Sequence, residues 1–205
     1  RTFATYLGAA ALLEAKHLDA AMPQDVDYVF IEGYLVQNHE LIERAVELSH
    51  QRGAKVCLDL ASWNIVESEH AFFERLLPNI DIVFANEDEA RAMTGRIGEE
   101  AARLLAQTCQ IAIVKCGPRG AVAVEGNQCV SAPATPVAQV LDTTGAGDFF
   151  AGGFLHRHAL GGSLKDCLCE GAACAGEVIQ VIGTQLPETT WQRLRAESTA
   201  RCSTH

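Results

Sequence analysis

The chain switches repeatedly between short continuous apolar runs and longer stretches of helical period. Apolar runs over 26–31 (VDYVFI), 55–60 (KVCLDL), 80–85 (IDIVFA) and 110–116 (QIAIVKC) predict buried strands. Between the first two, a helix is predicted over 38–52. It carries Leu41, Ile42, Ala45, Val46 and Leu48 on one face and stops at Gly53. A helix containing Ala71, Phe72, Leu76 and Leu77 ends at Pro78, and two short helices fit 87–93 and 99–107. A hairpin is predicted over 121–125 and 128–131, turning at Gly126-Asn127. Helices over 145–160 and 164–181, and one after Pro187, complete the pattern.

Strands separated by helices of this length define βαβ units. They predict an α/β fold with a mostly parallel central sheet and helices on both faces. The hairpin adds an antiparallel piece near one edge. No repeat, low-complexity tract or linker interrupts the pattern, so 1–205 reads as a single domain. In open sheets of this kind, ligands bind beyond the carboxyl ends of the strands. Three polar groups follow strands, at 59–64, 86–89 and 115–120, and a fourth, 142–148, precedes a helix.

Composition narrows the function. The formal charge is -10, which opposes a nucleic-acid partner, because that needs a basic face. It does not oppose a nucleotide, since backbone N–H groups at a helix start hold phosphate without net positive charge. No apolar run is long enough to span a bilayer. The eight cysteines form no CxxC pair and no zinc-finger spacing, so free thiols and a cytoplasmic location are expected. The chain opens on Arg1 without an initiator Met or leader, as expected of a sequence that begins within a larger protein.

The strongest chemical signal is Asp142-Thr143-Thr144-Gly145-Ala146-Gly147-Asp148. Small residues leave the backbone bare where a helix begins. Its N–H groups can converge on one point, and the helix dipole adds positive potential there. A carboxylate in the first turn, Asp148, can accept a proton from a hydroxyl lying against that anion hole. The plainer alternative is a glycine-rich helix start with Thr144 as N-cap. A dinucleotide loop would need a third glycine where Phe150 stands, and the Walker pattern is absent.

The run from Asp142 through Asp148 to Phe149-Phe150-Ala151-Gly152-Gly153 resembles the C-terminal signature of the ribokinase (PfkB) family of sugar and nucleoside kinases. The resemblance implies a ribokinase-like three-layer αβα sandwich. It implies Asp148 as catalytic base, and the amides of Gly145, Ala146 and Gly147 as the anion hole. Asn86 and Glu89 match the N-x-x-E motif that positions Mg²⁺ through water, although the same pair also forms a capping box. Lys115, Gly117 and Gly120 match a loop over the ATP phosphates, which is equally an ordinary tight turn. Ala172 and Gly183 match the adenine side, with close helix packing as the alternative reading. Asp142 and Thr144 match a K⁺ site completed by carbonyls of 178–183. Asp59 and Asn64 lie near the phosphate path or in a structural loop, and Glu32-Gly33-Tyr34 faces the substrate side.

The chain corresponds to the later two-thirds of such a kinase. The N-terminal strands, the Gly-Gly substrate motif and the β-lid are not visible in it, and residues 1–10 resemble the strand after that lid. The expected partners are ATP with Mg²⁺ and a small-molecule acceptor, with a homodimer through the lid. IEGYLVQN and LDLASWN look similar to adenosine-kinase-like members, so a nucleoside is the first choice and ribose or fructose the second. A non-catalytic nucleotide-binding relative and a dinucleotide-binding oxidoreductase are the readings from other classes.

Overall fold

The structure, a computed structural model, describes residues 8–202. Six strands form one sheet: β1 (Tyr28–Glu32), β2 (Lys55–Asp59), β3 (Ile82–Asn86), β4 (Ile111–Lys115), β5 (Ala121–Glu125) and β6 (Gln128–Ala132). Their order across the sheet is their order in the chain. β1 to β4 run parallel, and β5 and β6 add the antiparallel hairpin at one edge.

The helices are α1 (Ala15–Ala21), α2 (His39–Gln51), α3 (Trp63–Ser68), α4 (His70–Leu76), α5 (Glu87–Thr94), α6 (Gly98–Leu105), α7 (Ala146–Ala159), α8 (Leu164–Val178) and α9 (Glu188–Cys202). They form two layers because strand side chains alternate between faces. Val56, Leu58, Val83, Ala85, Ala112 and Val114 point into one core, with Ile42, Val46, Phe72, Phe73 and Leu105 from α2, α4 and α6. Cys57, Ile82, Phe84, Ile111 and Ile113 point the other way, into a second core with Phe150, Phe154 and Leu168 from α7 and α8. Both faces of the central strands are dry, which explains their unbroken apolar runs.

Local signals account for most boundaries. Asn38 caps α2 by accepting the Leu41 N–H at 3.1 Å, and Gly53, with φ +73, follows its end. α7 and α8 cross closely. A Cβ on Gly153 would stand 2.8 Å from the Glu170 carbonyl oxygen, and one on Gly171 2.8 Å from that of Phe150. Some expectations are corrected. The helix expected to run to residue 181 ends at Val178, and single-turn bonds continue from Glu177 to Gln180 and from Val178 to Val181. The segment after Asp59 is not all loop, because Trp63–Ser68 is helical and packs on α5. α1 was not anticipated; it buries no residue and so leaves no apolar period to read. Of the strand expected over 1–10, residues 1–7 lie outside those described, and Gly8–Leu12 is a 3-10 helix.

Candidate active site

The parallel strands end on polar residues at the same edge: Glu32 on β1, Asp59 on β2, Asn86 on β3 and Lys115 on β4. In the register, Glu32 pairs with Asp59 and Asn86 with Lys115. The rule of strand carboxyl ends therefore selects one row of side chains. The start of α7 faces that row.

Gly145, not Thr144, is the N-cap of α7, with φ +77 and no side-chain cap. Thr144 instead turns its N–H and hydroxyl toward Asp142 Oδ1, at 2.9 and 2.7 Å. Only glycine fits at 145 without strain. A Cβ there would also meet Thr184 Cγ2 at 2.7 Å. The first helical bond runs from the Phe149 N–H to the Gly145 carbonyl. The Ala146 N–H donates to the Thr143 carbonyl at 3.2 Å, no side chain caps the head of α7, and the helix dipole adds positive potential there. Asp148 lies in this first turn and is exposed.

Lys115 brings a cation to the same place. Its Nζ donates to Asp59 Oδ2 at 2.7 Å, and a Cβ on Gly147 would stand only 3.2 Å from that Nζ. Burial alone would lower the Lys115 pKa, but Asp59, Glu89 and Glu32 outweigh it and hold the ammonium charged. The carboxylates outnumber this cation. Burial, then the charges of Asp59 and Asp148, pushes Glu32 up to about 7. Burial, then Asp59, does the same to Glu89.

Asn86 and Glu89 form a reciprocal capping box at α5. Asn86 Oδ1 accepts the N–H groups of Asp88 and Glu89, at 2.9 and 3.0 Å. Glu89 accepts the Asn86 backbone N–H at 2.7 Å and its amide Nδ2. The cap is therefore real, and it fixes a buried carboxylate beside the row. Among the described residues, no three His, Cys, Asp or Glu side chains converge to hold a metal directly. A hard-oxygen set with excess negative charge suits Mg²⁺, which keeps most of its waters and leans on phosphate oxygens.

The remaining candidates fall around this centre. Asp142 is buried, and its Oδ2 accepts the Gly183 N–H at 3.1 Å. Leu141 and Asp142 both donate to the Ile179 carbonyl, which draws the 179–183 turn onto the motif. Gly117, at φ +56, has open space around it. Gly120 packs where a Cβ would stand 2.0 Å from the Ala132 carbonyl oxygen, so its bare backbone serves the hairpin. Arg119 binds both carboxylate oxygens of Glu87 at 2.5 Å. Ala172 is buried in the second core rather than open to a cleft. Asn64 is exposed on α3.

The sequence did not disclose the Asp59–Lys115 pair, which links residues 56 positions apart. The signal was present as a charged residue closing two otherwise apolar strands, KVCLD and IAIVK. It also did not disclose a cleft of about 500 Å³ between α7 and α9, where Phe149 stacks on Trp191 beside Asp148.

A three-layer α/β sandwich with an uncapped helix start facing a row of polar strand ends is an arrangement suited to holding an anion. Comparison with known proteins makes this specific. The pfkB family carbohydrate kinase model matches residues 1–191, and the chain belongs to that family. It is 31% identical to adenosine kinase of Schizophyllum commune over 95% of this chain and 63% of the relative. It is 30% identical to 2-dehydro-3-deoxygluconokinase of Haemophilus influenzae over 85% of this chain and 60% of the relative. The structure matches adenosine kinase from Sinorhizobium meliloti with a TM-score of 0.84 at 31% identity, covering 90% of this chain and 58% of the other. The fold is ribokinase-like, and the chain spans roughly 60% of these relatives' length.

Proposed function

We propose that this chain carries the phosphoryl-transfer site of a kinase that moves the γ-phosphoryl group of ATP to a primary hydroxyl of a small molecule. The observation that carries this reading is the uncapped start of α7, with Asp148 in its first turn and the Lys115 ammonium against Gly147. The acceptor O–H would donate to the Asp148 carboxylate. As its oxygen bonds to the γ-phosphorus, the proton passes to Asp148 and ADP leaves with the electrons of the broken P–O bond. The Gly145, Ala146 and Gly147 amides stabilise the charge on the transferring oxygens.

Asn86 and Glu89 would hold Mg²⁺ through water, and the ion supplies charge neutralisation at the phosphates. In this reading Lys115 and the Gly117–Gly120 turn would meet the phosphates and Gly183 the adenine, while Ala172 stays within the core. Asp142, Thr144 and the 178–183 carbonyls are the candidate K⁺ site. Among acceptors, an adenosine-like nucleoside comes first. The likeness to an adenosine kinase supports it, and the comparable likeness to a sugar-acid kinase keeps a sugar as the alternative. A phosphotransfer screen of the intact protein over nucleosides and sugars, with and without K⁺, tests the reading. ADP formed only with one acceptor class supports it. ATP binding with no transfer to any acceptor contradicts it and favours a non-catalytic relative.

A further inference from the structure

Lys115 and Asp59 belong to strands that are not neighbours, since β3 lies between β2 and β4. Their side chains are only 17% and 9% exposed. The lysine therefore reaches across the end of β3 to a partner and rests against Gly147 on the way. That position is unfavourable by itself. A helix N-terminus is positive, an ammonium is positive, and the lysine stem is flexible enough to swing away. Some restraint must keep it there.

Asp59 is built as that restraint. Its Oδ2 takes Lys115, while its Oδ1 accepts the Ala61 N–H at 2.9 Å. Ala61 has φ +64 and is the one non-glycine residue with positive φ among those described. Such backbone persists only where its surroundings enforce it, and it concentrates at functional sites. From the other side, the turn after β1 presses on Asp59. A Cβ on Gly33 would stand 2.4 Å from the Asp59 carbonyl oxygen. An incidental surface ion pair has neither this burial nor this framing.

We propose that Asp59 is a positioning residue that acts through Lys115. It holds the ammonium at the open end of α7, where it meets the charge of the transferring phosphoryl group. The inference rests on the kinase reading above. It gives the pair a role in the transfer step rather than only in tying the strand ends together.

The test is a kinetic cycle on the intact protein with ATP and the acceptor found by the screen. Asp59→Asn and Lys115→Met each lower kcat by about 10²-fold. The KM for ATP stays within about threefold, because the interaction counts mainly in the transition state. The double variant removes both charges of the pair together, so neither partner is left stranded without the other, and it keeps the test open if a single variant does not fold. It is no slower than Lys115→Met alone. In the nucleotide-free protein, acetic anhydride labels Lys115 faster in Asp59→Asn, because loss of the carboxylate partner lowers the ammonium pKa. Wild-type kcat in the double variant, a further loss beyond Lys115→Met, or unchanged labelling would each overturn the proposal. Near-normal turnover in Asp148→Asn would instead sink the kinase reading, and this inference with it.

Discussion

At the scale of single residues, the site is defined by more carboxylate than it can pair. Glu32 and Glu89 are both pushed up to about 7 from an ordinary value of 4.5, chiefly by burial. A raised folded-state pKa means the fold favours the protonated form. Their stabilising contribution is therefore complete in acid and is lost as pH rises from about 4.5 to about 7. In EDTA, the unfolding free energy should fall across that window, and Glu32→Gln should flatten the fall. Urea titrations at several pH values measure this, and a profile identical in the variant would contradict it. The helix start that carries Asp148 was legible in the sequence because its residues are small and adjacent. The Asp59–Lys115 pair was not, because its geometry depends on a sheet register that no local pattern encodes.

At the scale of elements, the start of α7 is the part on which the proposed chemistry depends most. Gly145 must be left-handed to turn the chain from Thr144 into the helix without offering a cap. Gly145→Ala forces a side chain into that conformation and into Thr184, and should cost about 1–3 kcal/mol. Thermal unfolding checks it, and an unchanged midpoint would show that the turn tolerates a Cβ. Strands and long helices were readable because burial on one or both faces imposes a period. α1 and α3 were not. α1 has no fully buried residue, and α3 has only six residues, of which Ile65 and Val66 are buried. The alternative of Thr144 as N-cap does not hold, because its hydroxyl is committed to Asp142 although hydroxyl residues before a helix usually cap it.

At the scale of the whole molecule, β1 ends the sheet, and among the described residues no strand pairs with its outer edge. Phe30 on it is 37% exposed. An unprotected edge of this kind invites pairing with another chain. The 205-residue chain alone is therefore expected to self-associate in size-exclusion chromatography, and Phe30→Lys to reduce this. A monodisperse monomer would contradict the expectation. The central claim is tested most directly by ³¹P NMR of the intact protein with ATP and an accepted nucleoside or sugar, wild type against Asp148→Asn. The account predicts a new phosphate monoester at a primary hydroxyl in the wild type. In Asp148→Asn its rate should fall by about 10²–10⁴-fold while ATP still binds. Monoester formation at a near-normal rate in Asp148→Asn would contradict it.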